Sequence, residues 1–400
     1  MTEPAGQHTL RRHNAALVLR TVLDSPGVSR AAIAAGTGLA KATVSSLVDR
    51  LIAADLVAET GLQVRQGRGR RSTGLAASPT GPHGLGVEIG VDYLATCLVD
   101  LAGQVREHTV RAGDNRARPP ARVLGAAVRA INTALRAADG LGVPVGGIGI
   151  AVPGLVESGT GLLRIAPNLG WRDLDIVAGV RGRIDAPHLP VLVGNEANLA
   201  AEAELGHAPD GPRDFIMVTG EIGIGAGLMV DARPFPGVGG FSGEIGHLTV
   251  DPAGPECTCG ARGCLERLAG LDQIIGQAGV GQAGPPAEVL DTLVGRLHQA
   301  DPAALGAVRA AGRWLGIALA SVINVVDVPC VVLGGTYAAL APWLREPMAA
   351  ELDSRVISAS WSPVRIGSST LGGAAAVRGA AAAAVRAIID DPDRYHRAAG

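Results

Sequence analysis

Aromatic residues are nearly absent, with four Trp, three Tyr and three Phe in 400 residues. A core cannot then be built around rings and must come from Ala, Val, Leu and Ile, which a chain that is 47% hydrophobic supplies amply. Lysine is scarcer still, since Lys41 stands alone among 35 basic residues. The accompanying abundance of Arg, Ala and Gly looks like the codon bias of a GC-rich genome, and no mechanism is drawn from it. No uninterrupted apolar run approaches the roughly 18 residues of a membrane helix, and the N-terminus has no apolar segment of the secretory kind. The expectation is a cytoplasmic protein with no membrane partner. Cysteine is rare too, and the five present are unevenly spread.

Cys257, Cys259 and Cys264 fall within eight residues, with His247 ten positions before the first of them. Cys97 and Cys330 lie apart, in apolar runs typical of buried thiols. Three thiolates and one imidazole make a closed tetrahedral site for Zn²⁺, with no open position for water, so the zinc expected here is structural. Chance thiols or a redox pair are the alternatives, and the clustering against two isolated cysteines argues for the metal. The spacing is not that of a DNA-reading finger. A clamped loop would hold Glu244 and Glu266 as fixed carboxylates, able to accept hydrogen bonds from a hydroxylated ligand.

Charge is uneven although its sum is only −2. Residues 1–75 carry ten Arg or Lys against five Asp or Glu, so an anionic partner is expected for this part alone. Within it, apolar positions at helical spacing run from Ala15 to Leu23, and Ser29 stands as an N-cap before Arg30. Gly36-Thr37-Gly38 then forms a turn. The following helix carries Val44, Leu47, Val48 and Leu51 on one stripe and Lys41, Thr43, Ser45, Ser46 and Arg50 on the other. That is a helix-turn-helix suited to the major groove of double-stranded DNA. Leu56–Glu59 and Leu62–Val64 alternate as a short hairpin, followed by a basic tip containing Arg68, Arg70 and Arg71, which reads as a wing. A protein-binding winged helix and a solvated charge run are the bland alternatives. The DNA-contact candidates are therefore Ser29, Arg30, Lys41, Thr43, Ser45, Ser46, Arg50, Arg68, Arg70 and Arg71.

Ser72–Gly84 is rich in Ser, Thr, Pro and Gly and reads as a linker, placing the first domain at 1–75 and the connection at 76–84. Strands then alternate with helices. Residues 86–91 and 94–100 suggest a hairpin, Arg122–Ala138 a helix, and 147–154 a buried strand entering a turn. A second hairpin like the first recurs at Phe215–Val230, which suggests two lobes of related topology facing a cleft, lobe one at 85–194 and lobe two at 195–373. Leu305–Val326 reads as a long apolar helix, Val331–Gly335 as a strand, and residues 374–390 as a closing alanine-rich helix.

Glu244–His247 and Cys257–Glu266 resemble, position by position, the ExGH and CxCGxxGCxE elements of the ROK family of repressors and sugar kinases. Ser29–Ser45 resembles the DNA-binding head of its repressors, Pro167-Asn168-Leu169 with Trp171 its PNLxW element, and Asn195-Glu196-Ala197-Asn198 its NDAN element. The resemblance implies an actin-like, two-lobed sugar-kinase fold behind a winged helix-turn-helix, with the last helix packed back on lobe one. It also implies a sugar shelf of Asn168, Asn195, Glu196, Glu244, His247 and Glu266. Taken alone, Asn168 beside proline and Asn198 at a helix start read as structural residues.

Three departures from the family's kinases point away from catalysis. Glu196 stands where they have the aspartate base, and one extra methylene displaces the carboxylate by more than about 1 Å, enough to forfeit orientation. Glu88-Ile89-Gly90-Val91-Asp92 replaces the DxGGT hairpin, with a β-branched residue at a glycine position and an extra carboxylate. Gly220-Glu221-Ile222-Gly223-Ile224-Gly225 replaces a GTGIG loop. The expectation is a non-enzymatic regulator of the family's xylose-repressor type, most simply a repressor, with a sugar effector, a DNA operator and a homodimeric or homotetrameric state. The rival is an active sugar kinase with an appended DNA head.

Overall fold

The structure, a computed structural model, describes residues 7–63, 72–116, 118–208, 210–220, 223–281 and 286–395. The head contains α1 (Gln7–Asp24), α2 (Arg30–Thr37) and α3 (Lys41–Ala53), then β1 (Val57–Gln63) and β2 (Ser72–Ala77). The Ser29 hydroxyl accepts the Ala32 amide at 3.2 Å and caps α2, and Gly38 ends that helix at φ 72°. Val44, Leu47, Val48 and Leu51 are buried in a cluster with Val18, Leu19, Val22 and Ile33. The predicted wing hairpin is corrected. Val57–Gln63 is a single strand, and its partner is Ser72–Ala77, taken from the sequence as linker. The two runs face one another across the basic segment because Leu75 supplies the buried residue that closes the head's core. The tip residues Arg68, Arg70 and Arg71 lie outside the described residues.

Lobe one is built on β3 (His83–Ile89), β4 (Tyr93–Val99), β5 (Val105–Ala112), α4 (Pro120–Gly140) and β6 (Val145–Val152). A small sheet of β7 (Leu155–Val156), β8 (Leu163–Ala166) and β9 (Trp171–Leu174) follows, then α5 (Ile176–Arg181) and β10 (Val191–Asn195). The main sheet has the order β10-β6-β3-β4-β5, antiparallel across β3-β4-β5 and parallel across β10-β6-β3. After α6 (Glu196–His207), lobe two repeats the scheme. It runs through β11 (Phe215–Gly220), β12 (Ile224–Val230), β13 (Arg233–Pro234), α7 (Glu266–Ala269), α8 (Leu271–Gln277), α9 (Pro286–His298), α10 (Pro302–Val326), β14 (Cys330–Gly335), α11 (Thr336–Arg355) and β15 (Arg365–Ser368). Its sheet, β13-β12-β11-β14-β15, has the same pattern of antiparallel meander and parallel extension. The duplication inferred from two similar hairpins is therefore real at the level of topology.

The closing helix α12 (Ala375–Asp390) crosses β3, β4 and β6 of lobe one and lies along α6. Close approach is what its small residues permit. A Cβ added at Gly149 of β6 would stand 2.0 Å from the Ala380 carbonyl oxygen, and one at Gly379 would stand 1.9 Å from that of Leu199. By length and composition, α10 and the stretch Gly372–Asp390 are each apolar enough to cross a membrane, which uninterrupted runs do not disclose because arginines break them. In the fold both are interior helices, with 56% and 50% of the apolar window buried. The core is aliphatic as expected, and three of the few aromatics serve as single anchors in it: Trp171, Tyr337 and Phe215 are the largest fully buried side chains.

Candidate functional site

A cleft of about 1060 Å³, counted out to its open mouth, lies between the lobes. Its walls bring together all six predicted shelf residues: Asn168, Asn195, Glu196, Glu244, His247 and Glu266. Asn168 sits in a 3-10 turn, Pro167–Leu169, between β8 and β9. Asn195 ends β10, its Oδ1 accepting the Asn198 amide at 3.0 Å to cap α6 while its Nδ2 donates to Gly154 O at 3.1 Å and Glu196 Oε2 at 2.8 Å. Asn198, read from the sequence as a polar residue at a helix start, is the third residue of α6, and the cap itself is Asn195. Glu266 begins α7, accepts the Ile224 amide at 3.1 Å, and faces Asn168 across Gly223, where an added Cβ would lie 2.6 Å from Glu266 Oε2 and 2.9 Å from Asn168 Nδ2. Burial raises the Glu244 carboxyl above its ordinary range, opposed by His247 and reinforced by the nearby Glu266 charge.

The loop behind this wall folds on itself through the bridges Thr249 to Cys264 and Glu256 to Arg262. Gly263, at φ 69°, is required there, since a Cβ would stand 1.6 Å from Asp251 O. The loop gathers His247, Cys257, Cys259 and Cys264 so that their ligand atoms all lie within 4.8 Å of one another. Cys259 Sγ and Cys264 Sγ are 3.7 Å apart, and Cys257 Sγ is 3.8 Å from His247 Nδ1. These spacings are far beyond a disulfide bond of about 2.05 Å. They match the edges of about 3.6–3.8 Å that tetrahedral metal–thiolate and metal–imidazole bonds require. Burial and the two neighbouring thiols push the Cys264 thiol up to about 12, and a bound cation is what lets such crowded sulfurs ionise together. The donor set therefore fits a metal ion. Tyr337, fully buried, donates to Ala269 O at 2.9 Å and ties the end of α7 to α11 behind the loop.

The cleft also takes in Glu88–Val91 of the hairpin that the sequence set against the family's phosphate hairpin, and the start of the closing helix, which no motif marked. Glu88 is buried at the end of β3 and accepts the Tyr93 hydroxyl at 2.5 Å, with the Tyr93 ring packed over Gly90. Asn115, also buried, braces this hairpin by donating to Gly90 O at 2.8 Å and Tyr93 O at 3.1 Å. Glu88, Ile89, Gly90 and Val91 line the cleft, and burial raises the neighbouring Asp92 carboxyl. Gly372, Gly373, Ala375 and Ala376 form part of the same wall. A helix N-terminus with no polar side chain offers no motif to a sequence reader. Glu221 and Ile222 lie outside the described residues. Among the described residues lining the cleft there are four glutamates and no Arg or Lys.

In the head, Lys41, Thr43 and Ser46 are exposed on α3 and Ser45 is half-buried. Arg30 is engaged within the head, reaching Asp49 at 2.9 Å and Glu59 at 2.8 Å. Arg50 pairs at 2.7 Å with Asp393, in the 3-10 turn Pro392–Tyr395 that follows α12. The structure thus separates the ten predicted DNA contacts into an exposed start of α3, two arginines paired with carboxylates, a capping serine, and a tip outside the described residues.

Comparison with known proteins agrees with this architecture. The profile of the ROK family matches residues 84–387 and that of the MarR family residues 10–71. The chain is 30% identical over 374 residues to the xylose repressor of Bacillus subtilis (strain 168), covering 92% of this chain and 94% of that protein. It is similar to the crystal structure of a ROK family transcriptional regulator, a homolog of the E. coli MLC protein, with a TM-score of 0.79, 26% identity and coverage of 96% and 97%. A ROK family glucokinase from Streptomyces griseus in complex with glucose and AMPPNP matches with a TM-score of 0.64 and 29% identity, over 76% of this chain and 99% of its own. The chain belongs to the ROK family and carries a MarR-type winged helix-turn-helix ahead of the kinase-like fold.

Proposed function

We propose that this protein is a sugar-responsive, DNA-binding repressor whose kinase-like cleft holds a sugar without phosphorylating it. One observation carries the reading: a helix-turn-helix is joined to a cleft furnished with Asn and Glu side chains for hydroxyls and, among its described residues, with no Arg or Lys for phosphates. Asn168, Asn195, Glu196, Glu244, His247 and Glu266 are assigned to the sugar, with Asn195 also fixing the start of α6. Lys41, Thr43, Ser45 and Ser46 are assigned to the groove face of α3, and Ser29 to its positioning through α2. Arg68, Arg70 and Arg71 are assigned to phosphate or minor-groove contact from the sequence alone. Zn²⁺ is the metal that best suits a Cys₃His set, where it would brace the loop that presents His247 and Glu266. The protein acts in the cytoplasm as a homodimer or homotetramer, in keeping with paired half-sites about 34–36 Å apart.

The kinase-like relatives make phosphate transfer the reading to exclude. Incubation with labelled ATP and a panel of hexoses and pentoses is expected to yield no sugar phosphate. Turnover above about 1 per second, the lower end of ordinary kinases, would show that Glu196 and the Glu88–Asp92 hairpin still support catalysis.

A further inference from the structure

One helix is shared by the cleft and the head. At its cleft end, Gly372, Gly373, Ala375 and Ala376 form part of the wall. That end hangs on lobe two, because the Ser369 amide donates to Leu333 O at 2.8 Å. The Ser369 hydroxyl donates to the buried Glu204 of α6 at 2.6 Å and accepts the Leu371 amide at 3.1 Å. The middle of α12 lies on the sheet of lobe one, in backbone contact that leaves no room for bending. At the far end Val385 and Ile388 are buried in the same cluster as Val18, Leu19 and Leu47, so the last turns of α12 belong to the head's core. Arg20 pairs with Asp390, Arg50 with Asp393 at 2.7 Å, and the Tyr395 hydroxyl donates to Gly146 O of lobe one at 2.5 Å. Sixteen residues of helix span about 24 Å.

We infer that α12 is the mechanical link between cleft and head, and that the Arg50–Asp393 pair is the latch at its head end. The physical reason is that a straight, close-packed helix cannot absorb a displacement locally. A change of lobe angle that shifts Gly372–Ala376 must either strain the glycine contacts along the sheet or move Val385, Ile388 and Asp393 against the head. The pair is partly buried, with side-chain exposures of 23% and 24%, so it resists separation more than a surface pair does. Arg50 then acts on DNA binding through the head's orientation, as a positioning residue rather than a DNA contact. By reciprocity, whatever loosens the head must also loosen the first turn of α12.

Hydrogen–deuterium exchange of the full chain tests this without any ligand, so its result is independent of whether the cleft binds sugar. Asp393→Asn perturbs the head end. Gly373→Trp perturbs the cleft end, at a position where an added Cβ meets nothing within 4 Å. Asp393→Asn is expected to speed exchange by about threefold or more in α1 and α3 and also in residues 371–377. Gly373→Trp is expected to speed exchange by a similar factor in α1 and α3. Head exchange unchanged in Gly373→Trp, or cleft exchange unchanged in a folded Asp393→Asn, would overturn the proposal. If Asp393→Asn does not fold, Gly373→Trp alone decides.

Discussion

Cys264→Ser is expected to lose the metal and the sugar response together while leaving the helix-turn-helix folded. Cys264 is completely buried and sits where the loop returns to pair with Thr249, so its sulfur closes both the coordination set and the hairpin. Cys259 is exposed, and its replacement leaves more room for water to substitute. Structural zinc in small motifs supplies on the order of 10 kcal/mol to local folding. Without it, the stretch between His247 and Glu266 keeps only backbone hydrogen bonds, a few side-chain bonds such as Arg262 to Glu256 and Gly254 O, and the burial of Leu265, and the carboxylate that accepts the Ile224 amide loses its footing. Metal analysis and calorimetry with monosaccharides would follow the two losses, and circular dichroism would follow the retained fold. A metal-free Cys264→Ser protein with unchanged sugar affinity would show that the loop stands without its clamp.

Glu266→Ala is expected to weaken sugar binding by about 10- to 100-fold, the loss that follows from removing a hydrogen bond to a charged group worth roughly 1.5–3 kcal/mol. The carboxylate has a fixed direction before ligand arrives, since the Ile224 amide donates to Oε2 at 3.1 Å, and the missing side chain of Gly223 leaves the room it occupies beside Asn168. Preorganisation of this kind contributes to affinity by removing the entropy cost of ordering the side chain. Metal content is expected to be unchanged, because Glu266 contributes no ligand atom to the Cys₃His set. Isothermal titration beside the parent protein measures the effect. Equal affinities would remove Glu266 from the shelf.

The sequence disclosed the site better than the linkage. Cys257, Cys259, Cys264 and His247 are legible because metal ligands need fixed residue types at short spacing, and the structure gathers these four. The two lobes are legible because the hairpin after residue 84 repeats in lobe two with the same strand order. Three features were not. The sequence divides Val57–Gln63 because Gly61 mimics a turn, whereas it falls where the pairing register with β2 is irregular. Ser72–Ala77 reads as linker because Ser, Thr and Gly suit a loop as well as an edge strand, and only the burial of Leu75 separates the two. The pairing of Arg50 with Asp393, 343 positions away, is the third, because helical spacing reports the face of a residue and nothing of a distant partner. Long-range pairs and close backbone contacts, such as Gly149 against Ala380, leave no local signal.

The central claim is that occupancy of the cleft changes the grip of the head on DNA. Fluorescence anisotropy of the full-length protein on a DNA site selected from random sequence, with and without a saturating sugar found by calorimetry, measures that coupling. A shift in Kd of about 5- to 150-fold is the predicted result, the range of ordinary allosteric linkage. A sugar that binds the cleft and leaves the DNA affinity unchanged would contradict the account.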